Sequence, residues 1–129
     1  MTTETTQTER LFRGPQVCRI TGVTYRQLDY WARTGILEPL IPARGSGSQR
    51  LYAEWQLLAA KVVDAVSNSG YSRVHSARNV VPAIQARWER CDGDMTGQRL
   101  GIKALGKAVM IVVNLEELAN EISVCEAAA

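Results

Sequence analysis

The sequence predicts a mainly α fold with a small β component (α+β), in which a winged helix-turn-helix domain precedes a C-terminal β-hairpin and helix. Three observations predict it. Two short helical segments meet at Gly22, and an arginine-flanked glycine–serine loop begins shortly after Pro39. The residues from Arg99 to Val113 are then mostly of types that favour β-strands.

The same patterns divide the chain into four segments. Residues 1–9 are threonine-rich and lack apolar periodicity, which predicts a disordered tail. Residues 10–71 contain the winged helix-turn-helix, and residues 72–91 form a helical connector that is also a candidate dimerisation helix. Residues 92–129 form the hairpin and the last helix, a candidate surface for dimerisation or for a partner. A chain of 129 residues is long enough for one domain with such an appendage.

Composition indicates a folded, cytoplasmic protein. The apolar fraction of 46% and the charged fraction of 22% are ordinary for a soluble globular chain. No apolar run approaches the roughly 18 residues that span a bilayer, and the polar start has no secretory pattern, so we expect neither membrane insertion nor export. Three cysteines, far apart in the chain, fit a reducing compartment better than a disulfide framework.

Charge is unevenly distributed along the chain. Between Arg10 and Tyr52 there are seven arginines and two acids, whereas from Ala53 onward eight bases meet nine acids. A phosphate-binding surface in the first half would leave this asymmetry, and a solvated arginine surface is the alternative.

The helix-turn-helix is predicted from its capping residues. Pro15 opens a helix that runs to about Thr21, and Gly22 ends it as a C-cap. Thr24 is a good N-cap for the next helix, which Gly35 closes. The inner face of this second helix is apolar and contains Leu28, Trp31 and Ala32.

A wing is predicted between two short apolar segments, Leu40–Ile41 and Leu51–Tyr52. The loop that joins them is rich in glycine and serine and carries Arg44 and Arg50 on either side of its tip, which is typical of a flexible two-stranded wing. A glycine–serine linker is the alternative. It is disfavoured because a strongly helical segment follows at once.

The segments behind the wing are mostly helical. Ala53 to Ser69 is predicted to be a buried helix. Apolar residues at heptad spacing then run from Ser72 to Cys91, but Pro82 interrupts them, which predicts two short helices or one bent helix.

The last third is predicted to be a hairpin and a helix. The strands lie between Arg99 and Val113, and the second strand, Val109–Val113, is apolar on both faces and is expected to be buried. Asn114 and Glu117 form a capping box for the final helix. The apolar residues of that helix are Leu115, Leu118, Ile122 and Val124.

Polar and aromatic residues of the second helix face away from the core. Tyr25, Arg26 and Asp29 lie opposite its apolar face, so we expect them on the surface. A recognition helix lies in the major groove of DNA, where Arg26 is suited to pair with guanine or to hold a phosphate. Tyr30 and Arg33 lie one turn further on, beside the phosphates.

Two motifs resemble the DNA-binding domain of the MerR family of bacterial transcription regulators, and of its actinobacterial members in particular. The first begins at Gly22 and is Gly-Val-Thr-Tyr-Arg-Gln-Leu-Asp-Tyr-Trp-Ala-Arg-Thr-Gly-Ile-Leu-Glu-Pro. The second is Gln-Arg-Leu-Tyr, which ends at Tyr52. The resemblance covers about Pro15 to Gly70. It implies a homodimer that binds double-stranded DNA and regulates transcription.

The resemblance also implies contact residues at matching positions. Thr24, Arg26 and Tyr30 match recognition-helix contacts. Arg50 with Tyr52 matches the wing. Together with the residues placed by position alone, the expected DNA-binding set is Thr24, Tyr25, Arg26, Tyr30, Arg33, Arg44, Arg50 and Tyr52.

Two features depart from the family pattern. Asp29 stands where most members have arginine, which removes one expected contact; it is suited instead to accept from a cytosine amino group or to orient Arg26 or Arg33. Members usually dimerise through one long coiled-coil helix, whereas Pro82 interrupts the heptad pattern of apolar residues in this chain. The hairpin and last helix would then supply dimerisation, effector binding or a partner surface, unless they only pack on one another as a small appendage.

No catalytic or metal-binding pattern is evident. Cys18, Cys91 and Cys125 share no ligand spacing with the single histidine, His75, so we expect buried free thiols and no metal. The sequence contains no Ser-His-Asp set, paired catalytic carboxylates or cofactor fingerprint, so we expect neither an enzyme nor a cofactor. The competing functions are a transcription regulator, an excisionase-like architectural factor, and a protein-interaction module whose C-terminal hairpin engages a partner.

Overall fold

The two predicted helices on either side of Gly22 are present, and the other described elements pack around them. The computed structural model describes residues 10–44, 49–68, 79–104 and 109–128. In chain order the elements are β1 (Leu11–Arg13), α1 (Gly14–Thr21), α2 (Tyr25–Thr34), β2 (Leu51–Ala53), α3 (Glu54–Asn68), α4 (Val80–Arg90), β3 (Arg99–Ala104), β4 (Val109–Asn114) and α5 (Leu115–Ala128). This is the predicted α+β class, with two small antiparallel sheets. None of the described helices is long and apolar enough to cross a bilayer.

The helix-turn-helix forms as its capping residues predict. Helix α1 ends at Gly22, whose φ of +82° is the left-handed conformation that glycine adopts without strain. At the start of α2, the Thr24 hydroxyl accepts from the Gln27 backbone N–H over 3.1 Å, and the Gln27 side chain accepts from the Thr24 N–H over 2.9 Å. Gly35, at φ +81°, ends α2 as Gly22 ends α1. Both ends of α2 are therefore fixed by local chemistry.

The strand that follows the wing pairs with the start of the domain. Strands β1 and β2 are antiparallel with Phe12 opposite Tyr52, and Ile41 keeps only an isolated bridge to Leu51. Strand β1 is not predicted from the sequence, because its three residues are too few to show an alternating pattern. The base of the wing is thus anchored on β1. The tip, residues 45–48, lies outside the described residues.

Helix α3 lies at the centre of the core. Its fully buried residues are Leu57, Leu58, Ala59, Ala60, Val62 and Val63. Helix α3 contacts α1, α4 and α5, so elements from both halves of the chain share one hydrophobic core.

Pro82 lies in the first turn of α4 rather than in its interior. The helix begins at Val80, so Pro82 occupies a position where a backbone N–H has no acceptor within the helix. The second of the two predicted helices, Pro82–Cys91, is therefore present as α4 and begins two residues earlier than expected. The predicted helix before it falls largely on residues 72–78, which are outside the described residues.

The predicted hairpin is present, with one face covered and the other open. Strands β3 and β4 pair with Ile102 opposite Ile111. Ile102 and Val113 are buried, and α5 contacts β3. Met110 and Val112, on the outer face, are 60% and 62% exposed. The expectation that β4 is buried on both faces is wrong, because a two-stranded sheet with a helix on one side leaves its other side to solvent.

The last helix packs against the helix-turn-helix. Asn114 Oδ1 accepts from the Glu117 N–H over 3.0 Å, which is one of the two hydrogen bonds of the predicted capping box. Leu115 and Ile122 are buried in the core that α1 and α3 also enter. The C-terminal region is therefore part of the same folded unit as the helix-turn-helix. The alternative that the hairpin and last helix pack only on one another is wrong.

Candidate nucleic-acid interface

The start of α2 presents predicted contact residues to solvent. Tyr25 is 58% exposed, and its neighbours Thr24 and Arg26 are exposed as well. Tyr30 is half-buried against the core, and its carbonyl oxygen accepts from the Thr34 hydroxyl. Hydroxyl, phenol and guanidinium groups therefore lie together on one exposed end of a capped helix.

Arg26 is an exposed cation at this end of α2. Among the residues that the structure describes, no carboxylate lies within ion-pair distance of its guanidinium. Leu28 and Trp31, on the opposite face, are each 2% exposed and hold α2 on the core. A guanidinium on a rigid helix is suited to a bidentate bond with a base edge or a phosphate.

Asp29 forms ion pairs with two of the predicted contact residues. Its Oδ2 accepts from Arg33 Nε over 2.9 Å, and its Oδ1 lies 2.9 Å from Arg50 Nη1. The hydrogen bond from Arg33, followed by that from Arg50, holds the pKa of Asp29 below its usual range. Of the roles predicted for Asp29, the orientation of Arg33 is confirmed. The sequence does not predict the pair with Arg50.

Arg50 joins the wing to α2. It lies at the base of the wing, immediately before β2, and its side chain is 27% exposed. A groove of about 400 Å³ is lined by Gly14 at the start of α1, Tyr25 on α2, and Arg50. Arg44, nearer the tip of the wing, is exposed. Residues from α1, α2 and the wing thus face one concave surface.

Tyr52 lies inside the core, which corrects the expectation that it contacts DNA. Its side chain is fully buried, opposite Phe12 of β1. Burial raises the pKa of Tyr52 to about 12, although the nearby positive charge of Arg50 acts in the other direction. Its hydroxyl has no hydrogen-bond partner of good geometry among the described residues. Tyr52 supports the base of the wing from within.

The order of these elements agrees with a known family. Residues 12–76 match the family model described as MerR HTH family regulatory protein. The chain belongs to the MerR family. The matched span contains α1, α2, the described part of the wing and α3.

Relatives in two mycobacterial species are similar to part of this MerR-family chain. Proteins named as uncharacterized HTH-type transcriptional regulators in Mycobacterium tuberculosis (strain ATCC 25618 / H37Rv) and Mycobacterium bovis (strain ATCC BAA-935 / AF2122/97) are each 48% identical to it over 77 residues. The similarity covers 59% of this chain and 34% of each relative. The chain therefore matches about a third of the length of these curated relatives.

A buried glutamine, Gln56, joins the segments on either side of the predicted wing, and this role is not predicted from the sequence. Gln56 is 2% exposed in the first turn of α3. Its Oε1 accepts from the N–H groups of Leu40 at 3.2 Å and Ala53 at 2.8 Å, and its Nε2 donates to the carbonyl oxygen of Glu38. The available signal is a single amide in the otherwise apolar run 55–60, because a buried polar side chain needs partners.

The three cysteines are half-buried thiols, namely Cys18, Cys91 and Cys125. Burial raises the pKa of the Cys18 thiol, which disfavours the thiolate that binds metals. Within the described part of the chain, no three His, Cys, Asp or Glu side chains cluster as metal ligands. His75 lies outside that part.

Proposed function

We propose that this chain is a sequence-specific DNA-binding transcription regulator of the cytoplasm, with α2 in the major groove and the wing on the DNA backbone or in the minor groove. The observation that carries the proposal is the exposed start of α2, where Tyr25 and Arg26 project from a helix with fixed ends. Membership of the MerR family and the names of the mycobacterial relatives support it.

The proposed contacts fall into two groups. Arg26 contacts a base edge, because its guanidinium matches the O6 and N7 acceptors of guanine. The residues that position the protein on phosphates are Thr24, Tyr25, Tyr30, Arg33, Arg44 and Arg50. Tyr52 makes no contact in this scheme, since its side chain is buried.

Selection of bound duplexes from a random pool, followed by genomic footprinting, tests the proposal. An inverted repeat near promoters is the result expected of a regulator with two-fold symmetry. Direct repeats beside a recombination attachment site would assign the chain instead to excisionase-like architectural factors. Binding without sequence preference would overturn the proposed regulator.

We further propose that two copies associate through the hairpin formed by β3 and β4. Met110 and Val112 are exposed on its outer face, and among the described strands β4 pairs only with β3. Residues 109–113 carry no charge. Antiparallel pairing of two β4 strands about a two-fold axis therefore places no like charges opposite one another.

Analytical ultracentrifugation of a matched pair of variants tests this association. The wild-type chain should sediment as a dimer at micromolar concentration, and Val112→Glu should dissociate it, because two carboxylates would then lie close together on the same face of the joined sheet. Val124→Glu, at a 68% exposed position of α5, should leave the dimer intact. Deletion of the C-terminal region is a poorer test of the dimer. It would remove Leu115 and Ile122, which belong to the core, and would therefore also destabilise the fold. A monomeric wild-type chain would contradict the proposal.

A further inference from the structure

Asp29 places a carboxylate on the face of α2 that is proposed to meet DNA. Between Arg10 and Tyr52 the only other acid is Glu38. Both oxygens of Asp29 are occupied, one by Arg33 Nε and the other by Arg50 Nη1, each at 2.9 Å. A carboxylate held in this way occupies the cations that a phosphate would otherwise bind.

We propose that Asp29 restrains the affinity for DNA by acting as an internal counter-ion for Arg33 and Arg50. We call Asp29, Arg33 and Arg50 together the Asp29 clamp. Phosphates compete with this carboxylate for the positive charge and the N–H donors of the two arginines. The inference rests on the DNA-binding function proposed above, and it assigns a role to a residue whose charge has the same sign as that of DNA.

The geometry of the Asp29 clamp allows a phosphate to reach its arginines. The Arg33 side chain is 62% exposed and that of Asp29 is 32% exposed, so the ion pairs are open to solvent on one side. Arg33 lies one helical turn from Asp29, whereas Arg50 comes from the wing. The second pair therefore also links the base of the wing to α2 in the free protein. Exposed ion pairs are individually weak, so the clamp reduces affinity without preventing binding.

Comparison of Asp29→Asn with Glu38→Gln tests the restraint. Both variants remove one negative charge at nearly constant shape, but Glu38 forms no ion pair with any described residue. For a random-sequence duplex at about 0.1 M salt, we expect Asp29→Asn to raise the association constant about tenfold. The slope of the log association constant against the log salt concentration should become more negative by about one to two. Glu38→Gln should leave this slope unchanged.

The clamp itself is measured in the absence of DNA. In proton–nitrogen NMR spectra of the free protein, the Arg33 Nε–H signal should shift and exchange faster with water in Asp29→Asn, and should stay unchanged in Glu38→Gln. An unmoved Arg33 signal in Asp29→Asn would overturn the clamp even where DNA binding persists.

The affinity measurements separate the clamp from the proposed function. An equal gain of affinity in both variants would reduce the effect to net charge and overturn the restraint. A loss of affinity in Asp29→Asn would overturn it as well, because Asp29 would then assist binding. If neither the wild-type chain nor the variants bound DNA, the proposed function and the restraint would both fail, while the Arg33 signal would still show whether the clamp forms.

Discussion

The side chain of Gln27 joins α2 to α3 through Asp64. Gln27 Nε2 donates to Asp64 Oδ1 over 3.0 Å, while its Oε1 accepts from the Thr24 N–H over 2.9 Å. One amide thus closes the capping box of α2 and fixes that helix on the core helix. Glutamate also suits the capping box, but a carboxylate at this position would face the carboxylate of Asp64.

We predict that Gln27→Glu destabilises the fold by about 1–2 kcal/mol at neutral pH, because the hydrogen bond to Asp64 is replaced by like-charge repulsion. Denaturation in urea measures the free energy of unfolding. In the double variant Gln27→Glu/Asp64→Asn, the new amide at position 64 can donate to the new carboxylate at position 27. Most of the lost free energy of unfolding should therefore be recovered. Equal losses in the single and double variants would show that the contact with Asp64 is not the cause.

Tyr52 determines part of the stability at alkaline pH. Its pKa is raised from 10.0 to about 12 by burial, so the native state holds the phenolic proton more tightly than the unfolded chain does. The corresponding stability is complete below pH 10 and is lost as the pH rises from 10 to about 12, by about 2–3 kcal/mol in all. Tyr52→Phe should remove this part of the alkaline decline, as measured by denaturation at a series of pH values.

Tyr25→Phe, which removes an exposed phenol, is the matched control for that experiment. At neutral pH, Tyr52→Phe should change stability little, because the Tyr52 hydroxyl has no hydrogen-bond partner of good geometry among the described residues. An alkaline decline of the same size in Tyr52→Phe and the wild-type chain would contradict the assignment.

Local chemistry explains which parts of the fold the sequence predicts. Gly22, Thr24 and Gly35 act within a few residues of where they stand, so the bounds of α1 and α2 follow from their chemistry alone. The pairing of Phe12 with Tyr52 joins positions about 40 residues apart, and a three-residue strand has no pattern of its own.

The same distinction between local and long-range contacts applies to the candidate site. The spacing of Asp29 and Arg33 on one helix face makes their ion pair predictable. The pair between Asp29 and Arg50 depends on the path of the wing, which the sequence does not determine. Likewise, Tyr52 follows Arg50 in a motif associated with the wing, and only its pairing with β1 shows that its side chain points into the core.

The shared core predicts that α5 contributes to the stability of the helix-turn-helix. Leu115 is fully buried, whereas Val124 is 68% exposed. We expect Leu115→Ala to lower the free energy of unfolding by about 2–5 kcal/mol and Val124→Ala by less than about 0.5 kcal/mol. In a Trp88→Phe background, the fluorescence of Trp31 and Trp55, both buried, reports the unfolding of the first half of the chain. If Leu115→Ala left that transition unmoved, α5 would be energetically independent of the helix-turn-helix.

Arg50 is expected to act on phosphates and not on bases. Arg50→Ala should therefore weaken binding to all duplexes about equally and reduce the slope of log affinity against log salt by about one. Titration of a selected and a random duplex at several salt concentrations measures both quantities. A change in base preference with an unchanged salt slope would contradict the phosphate contact.

Arg26 is expected to give the sequence preference, because it projects from the exposed start of α2 and pairs with no carboxylate among the described residues. We predict that Arg26→Ala lowers affinity for the selected site by about 1–3 kcal/mol and flattens the preference at the contacted base pair. Arg90→Ala removes an equally charged, exposed side chain from α4 and serves as the matched control, with base preference retained. Parallel selections from a random pool measure the preference of each variant. A uniform loss of affinity across all sequences in Arg26→Ala would make Arg26 a positioning contact, since only a base contact distinguishes one sequence from another.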